Sequence, residues 1–442
     1  MIIKKELESK DNSSVQLTVT ISKDAAKKEY EKLLTDYAKK VQIKGFRKGK
    51  VPPSVLEKKY GEGIKEEAGM NVIEESLKTA LEEVETKPLP YSIPELQEST
   101  DKFDFDKDFT YSVVYDVFPE VKLGSYTDLE VEIPDAKVLK KDEDRELEKL
   151  RDQNAVVMEK DGGKVAKDDI VTINYSELDE EGNEIEGSAR EDYVFTVGTG
   201  YNIYKLDDDI IGMAKDEEKV VEKEVDGKNV KIKVKVTSIK EKQLPELDDE
   251  LAQDISDKYE TIKDLRDDIK KALKKDLEEK MKEIKTEKIL AKIAETSEIP
   301  LPESMIKAEL ENSWHNFVRQ SQMQEDQLLQ ILAMQGKNKD DLMKEWRDGA
   351  IKSLNFQLIM NRIIEEEKIE ASEKEIEEEI KLQAEASGQS YEEFKELIEK
   401  NNYTDHIAAD VKNKKLLDFL FKKNTFKKGE KVNFIDLIQN NF

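Results

Sequence analysis

The sequence predicts a multidomain α+β protein: an N-terminal α+β module, a small β-rich middle domain, and an all-helical C-terminal domain with arms. Three observations predict it. The chain has 442 residues, enough for about three domains at roughly 150 residues each. Its apolar period is two in one stretch and three or four in another: Val15, Leu17, Val19 and Ile21 alternate as a strand does, whereas Ile262, Leu265, Ile269, Leu273, Leu277, Met281 and Ile284 make one helical stripe. Between the first two regions, Phe118-Pro119 and Ile133-Pro134 interrupt any helix.

Composition removes several function classes. Net charge is −27 and 40% of residues are charged, so general nucleic-acid or membrane binding is disfavoured because anionic partners are repelled. There is no cysteine, hence no disulfide framework or thiolate chemistry, which fits a reducing compartment. The opening apolar run Met1-Ile2-Ile3 is too short for a signal peptide, and no run of about 18 apolar residues appears. The expectation is a cytoplasmic protein with no membrane partner. The two histidines, His315 and His406, stand far apart, and no metal-ligand spacing exists, so no metal is expected. The acidic runs at 365–367 and 377–379 read as solvated helix faces.

Taken in order, residues 1–21 read as strands, and Ser22 as the N-cap of a helix over 23–40 with Tyr30, Leu33, Leu34 and Tyr37 on one face. A second helical region runs from Pro53 to Val84, with a break expected near Gly61 and Gly63. Tyr111, Val113 and Tyr115 alternate as a later strand. Residues 115–150 read as an extended connector. Residues 170–175, 193–197 and 230–236 read as strands. Beyond residue 246 the chain reads as helical: one helix over 257–298, a second from Pro302 to Gln335 closed by Gly336, a third over 340–368, and three more capped by Ser372, Ser390 and Thr404.

The sharpest local signal lies between the first two helices. No Asp or Glu occurs between Asp36 and Glu57, and Lys39, Lys40, Lys44, Arg47, Lys48 and Lys50 fall inside that window. Gly45 and Gly49 permit a sharp turn, and Pro52 and Pro53 end one helix and open the next. An exposed loop with Phe46 at its tip suits a phosphate-rich partner, since Arg reaches phosphate bidentately and Phe can be buried. The alternative is a solvated loop whose ring folds back onto its own module. A nucleotide-phosphate loop does not fit, because the glycine spacing is wrong and Val51 stands where Ser or Thr would follow the lysine.

The run Gly45-Phe46-Arg47-Lys48-Gly49-Lys50-Val51-Pro52 resembles the signature of the trigger factor family of ribosome-bound chaperones. That resemblance implies a ribosome-binding site at Gly45, Phe46, Arg47, Lys48 and Lys50, docking on the large subunit beside the exit tunnel. It extends over essentially the whole chain. It implies a ribosome-binding domain over 1–114, an extended linker over 115–150, an FKBP-like peptidyl-prolyl isomerase domain over 151–245, and a helical chaperone domain over 246–442. The landmarks of the FKBP-like part are Val171 to Tyr175, Gly187, Gly198-Thr199-Gly200 and Leu244-Pro245-Glu246-Leu247.

Prolyl isomerisation needs an apolar pocket in which the amide loses conjugation, against a barrier of around 18–20 kcal/mol, rather than a nucleophile. By resemblance the pocket would be lined by Tyr175, Ile185, Glu186, Tyr193, Ile203, Leu206 and Ile232. Here the sequence departs from the family. The Ile-Pro-Gly-aromatic segment is Ile203-Tyr204-Lys205-Leu206, the last-strand aromatic is Ile232, and residues 226–229 replace a longer aromatic flap. Leucine offers a less rigid face than a ring, so weak or lost isomerase activity is expected; ordinary sheet core remains the other reading of Tyr175 and Tyr193.

Glutamines interleaved with Met323, Leu328, Ile331, Leu332 and Met334 suit a surface that adapts to many polypeptides, with core packing as the alternative. Leu328, Ile331, Leu332 and Met334 are expected to be exposed, and Met343, Trp346, Leu354, Leu358 and Ile359 to be core. No nucleotide motif is found, so no cofactor is expected. The function expected is ATP-independent binding of nascent and unfolded polypeptides that assists folding and export. An active isomerase with substrate-presenting helices and an off-ribosome coiled-coil scaffold are the competing readings, and homodimerisation of the free protein is left open.

Overall fold

The computed structural model describes every residue except Gly45, Lys48, 98–106, Asp161, Glu180, 201–203, 226–227 and 441–442, and the side chain of Lys228. In chain order it begins β1 (Ile2–Lys10), β2 (Ser14–Ile21), α1 (Lys23–Lys40), α2 (Pro53–Glu83), β3 (Glu95–Leu96), β4 (Phe109–Asp116) and β5 (Glu130–Ala136). It continues α3 (Lys140–Gln153), β6 (Val156–Glu159), β7 (Ile170–Leu178), β8 (Arg190–Thr196), α4 (Asp207–Ile210), β9 (Glu218–Val225) and β10 (Lys228–Gln243). Then follow α5 (Asp249–Ile255), α6 (Ile262–Ala294), α7 (Glu303–Ser321), α8 (Glu325–Met334), α9 (Lys339–Glu366), α10 (Glu373–Ser387), α11 (Tyr391–Lys400), α12 (Thr404–Lys423), β11 (Thr425–Val432) and α13 (Phe434–Ile438). This is the multidomain α+β architecture the sequence predicts. The chain divides into two compact units, Met1–Ile133 with Ile284–Lys427, and Pro134–Glu283 with Lys428–Phe442.

In the first unit an antiparallel sheet has the order β1-β2-β4-β3. Asn12 and Ser13 take φ of 55° and 54°, the left-handed pair that lets a tight hairpin match strand twist. Val15, Leu17, Val19 and Ile21 of β2 are buried on one face with Phe109, Tyr111, Val113 and Tyr115 of β4, as period two demands. Ser22 caps α1 by accepting from the Ala25 N–H at 3.3 Å. The break expected in α2 does not occur: the helix runs through Gly61 and Gly63. Its apolar stripe keeps it continuous, Ile64 and Ala68 against Tyr30 of α1 and Val72 and Ala80 against the sheet. That burial outweighs about 1 kcal/mol for each helical glycine.

The helices of this unit share a core in which Met305, Ile306 and Leu310 of α7 meet Leu354 and Leu358 of α9, with Leu89 and Val121 packed alongside. The helix expected from Pro302 to Gln335 is in fact two. Gln322 takes φ of 55° and ends α7, and α8 folds back so that Leu328 and Leu332 reach Trp314, which is fully buried. The Trp314 indole N–H donates to Glu325 Oε1 at 2.6 Å, satisfying the one polar group that burial would otherwise strand. The region beyond residue 246 also contains a strand, β11, which pairs with β5.

In the second unit a five-stranded sheet has the path β6-β10-β7-β8, with β9 also paired to β10. Val171, Ile173, Val234 and Val236 fill its core. The segment expected to be an extended connector contains β5 and the charged helix α3. Leu147 of α3 is buried with Ala252, Tyr259 and Leu265, a stripe of apolar contacts that the surrounding charges hide in the sequence. No described helix is long and apolar enough to cross a membrane.

Candidate functional site

The basic loop is held at both ends and open in the middle. Ile43 and Val51 are buried with Leu56, against Leu34 and Ala38 of α1 and Val55 of α2. The Val41 N–H donates to the Tyr37 carbonyl at 2.9 Å and closes α1. Between the anchors, two turns shape the chain: Phe46 N–H to the Ile43 carbonyl at 3.0 Å, and Lys50 N–H to the Arg47 carbonyl at 2.9 Å. Gly49 takes φ of +79°, which a side chain would resist.

Phe46 is 38% exposed, and Lys44, Arg47 and Lys50 are exposed too. Lys39 is paired with Asp36 at 3.2 Å, but among the described residues Lys44, Arg47 and Lys50 make no ion pair. Part of Phe46 is therefore open to a partner, and among the described residues those three cations are not neutralised by an ion pair. Gly45 and Lys48 lie outside the described residues.

The expected isomerase pocket is arranged otherwise. Tyr175 on β7 is buried, with Tyr193 of β8 edge-on at 5.8 Å between ring centroids and Tyr204 edge-on at 5.4 Å. The Tyr204 hydroxyl donates to Glu177 Oε1 at 2.6 Å. Burial, then that hydrogen bond and the Glu177 charge, push the Tyr204 phenol up to about 12. Burial, then the neighbouring Tyr193, also raises Tyr175.

Leu206 and Ile232 are wholly inside the sheet core, below any surface a peptide could touch; they pack where an aromatic floor was expected. Ile185 and Glu186 are exposed, on the connection that follows β7. Ile203 lies outside the described residues. The structure thus brings Tyr175 and Tyr193 together and adds Tyr204, which sequence reasoning passed over because it stands where the resembled family has proline. β9 and β10 close on one another at Val225 and Lys228.

Met323, in the turn between α7 and α8, and Ile331 and Met334 of α8 are exposed, Met334 at 87%. Leu328 and Leu332, expected to be exposed, are buried under Trp314. The reason is the turn at 322–324, which makes one face of α8 a core face. Leu354, Leu358 and Ile359 are buried, and Met343 and Trp346 are partly buried against the same clusters.

Comparison with known proteins agrees with this geometry along the chain. Residues 3–150 match the family model for bacterial trigger factor protein, 162–242 that for FKBP-type peptidyl-prolyl cis-trans isomerase, and 261–422 that for the trigger factor C-terminus. The trigger factor of Treponema denticola is 40% identical over 451 aligned positions, covering 99% of this chain and 100% of its own. That of Borreliella burgdorferi is 36% identical, covering 99% of each. A solved structure reported under "Promiscuous Substrate Recognition in Folding and Assembly Activities of the Trigger Factor Chaperone" has a TM-score of 0.51 and 25% identity, covering 95% of this chain and 100% of that one.

Proposed function

The chain belongs to the trigger factor family, ribosome-associated chaperones of nascent chains that carry an FKBP-type prolyl isomerase domain, and we propose that it docks through the loop bearing Phe46, Arg47, Lys48 and Lys50. Gly45 and Gly49 would shape that loop, and the large subunit beside the exit tunnel would be its partner. The observation that carries this reading is a partly exposed Phe46 beside Lys44, Arg47 and Lys50, which are exposed and among the described residues make no ion pair, on a chain of net charge −27. On such a chain the attraction to phosphate has to be local, and therefore screened by salt. Residues 1–114 would form the ribosome-binding domain, 115–150 the link, 151–245 the isomerase-like domain and 246–442 the client-binding domain. Met323, Ile331 and Met334 would offer the adaptable client surface, with Leu328 and Leu332 supporting it from beneath. The protein would work in the cytoplasm, without ATP, on unfolded chains of varied sequence, and would be free to dimerise away from the ribosome.

Co-sedimentation with purified bacterial ribosomes tests the loop. Reversing Arg47 and Lys48 together to Glu abolishes pelleting, and wild-type pelleting falls as salt rises; unchanged pelleting of the reversed protein removes the loop as anchor.

Isomerase activity would be weak, since Leu206 and Ile232 are sealed in the core and Tyr175 is covered by two rings. Slow turnover of a proline tetrapeptide in a protease-coupled assay is the expected result. Fast turnover lost in Tyr193→Ala would instead favour an active isomerase whose helices present substrate.

A further inference from the structure

The edge strand β6 differs from the other edges of the protein. Val156, Val157 and Met158 are 59%, 46% and 47% exposed, and no lysine interrupts them. The other free edges of the same sheet are guarded by charge: β8 opens Arg190-Glu191-Asp192, and β9 reads Glu-Lys-Val-Val-Glu-Lys-Glu-Val. The β1 edge of the first unit carries Lys4, Lys5 and Glu6. Such charges keep edges from pairing with stray strands. β6 has one charge, Glu159, at its end; the apolar run before it is a liability unless something uses it.

Register shows which backbone groups are free. β6 pairs antiparallel with β10, Val156 opposite Gln243, Val157 opposite Lys242, Met158 opposite Glu241 and Glu159 opposite Lys240. Just beyond, the Lys160 N–H donates to the Ile239 carbonyl at 2.9 Å. Bonded and non-bonded pairs alternate in an antiparallel ladder. Lys160, Met158 and Val156 therefore bond inward, and the N–H and C=O of Val157 and Glu159 point away from β10. No strand lies beyond β6 in the sheet among the described residues.

We propose that this edge captures an extended segment of a non-native polypeptide by strand addition. Val157 and Glu159 would supply main-chain hydrogen bonds, and Val156 and Met158, on the opposite face from Val157, an apolar contact for alternate client side chains. The inference rests on the chaperone reading and adds to it a client site in the isomerase-like domain. A second copy of this chain fits less well. An edge of four residues falls far below the roughly 1,600 Å² of a stable interface, so it would not by itself hold two copies together. A client segment needs only weak, sequence-tolerant holding, which main-chain bonds give.

Residue-resolved hydrogen exchange on the full chain, with a short peptide of alternating threonine and valine, tests it. Exchange at Val157 and Glu159 slows when the peptide is added, while Val156 and Met158, already bonded, change little. The same peptide N-methylated at alternate amides gives no protection. Val157→Pro removes one outward N–H and no ladder bond, and proline is tolerated at an edge; it weakens peptide binding about five-fold, the loss of roughly one net hydrogen bond, with unchanged exchange protection in β7 and β10 as the sign of an intact sheet. Peptide binding with Val157 and Glu159 unprotected overturns the edge and leaves the chaperone reading standing. Protection that grows with protein concentration in the absence of peptide assigns the edge to a second copy and overturns the choice of occupant. Failure of the full chain to bind either the peptide or an unfolded polypeptide overturns both readings.

Discussion

The basic loop and the tyrosine cluster are both aromatic groups carried on short, motif-like segments, and they end in opposite states. Phe46 is partly open to solvent beside cations that, among the described residues, make no ion pair, whereas Tyr175 is closed off by Tyr193 and Tyr204. The loop decides its own exposure. Its anchors, Ile43 and Val51, are two residues of the same segment, and the charges between them are too dense to bury. The pocket is decided from elsewhere: whether Tyr175 is open depends on a ring delivered by residue 204 and on how tightly Leu206 and Ile232 fill the core. An exposed loop can thus be written in a few consecutive residues, while a cavity is a property of packing between distant ones.

The largest effect that tests this contrast is in the loop's anchor. Leu56 is fully buried beneath Ile43 and Val51, so Leu56→Ala leaves a cavity and costs about 2–5 kcal/mol of stability. Phe46→Ala, at an exposed position, shifts stability by less than about 0.5 kcal/mol. In ribosome affinity Phe46→Ala loses about 2 kcal/mol, roughly thirty-fold, as a buried aromatic anchor does. Chemical denaturation and quantitative pelleting on the two variants read both quantities. If Phe46→Ala costs as much stability as Leu56→Ala, the tip is a core residue and the contrast with the tyrosines disappears.

What was legible in the sequence follows the same division. The cap at Ser22, the helix from Lys23 to Lys40, the alternation of β2 and the caps at Ser372 and Ser390 are local facts, and local chemistry gives them. Gly61 and Gly63 misled because their cost is local while the compensation, Ile64 and Ala68 against Tyr30, is not. The turn at Gln322 was hidden because a non-glycine residue takes the left-handed conformation there, and it became visible only through Trp314 and its need for a lid. The same turn is why Leu328 and Leu332 lie inside while Ile331 and Met334, on the same helix, lie outside. The helix α3 was masked by charge, with Leu147 as the buried residue that betrays it. In the candidate pocket, Tyr175 and Tyr193 could be named from sequence, but the role of Tyr204 depended on a loop bringing it edge-on to Tyr175.

The smallest effect concerns that closing ring. Tyrosine ordinarily titrates near 10, and burial followed by the bond to Glu177 pushes Tyr204 up to about 12. A folded-state value above the unfolded one means the native state holds this proton more tightly. The stability it contributes is fully present below about pH 10 and is lost as pH rises from there through about 12. Phenolate absorbance reads it directly, taken as wild type minus Tyr204→Phe, because Tyr126, bonded to Glu367, is also pushed up to about 12 and must cancel. The difference titration has its midpoint near 12, and in a Glu177→Gln background it moves down but stays above 10, since the carboxylate is gone while burial, the larger cause, remains. A midpoint near 10 in the native protein would mean that the hydroxyl faces water and Tyr175 is open on that side. The sheet domain would then resemble the loop in its exposure, and turnover of the proline peptide would have to be fast.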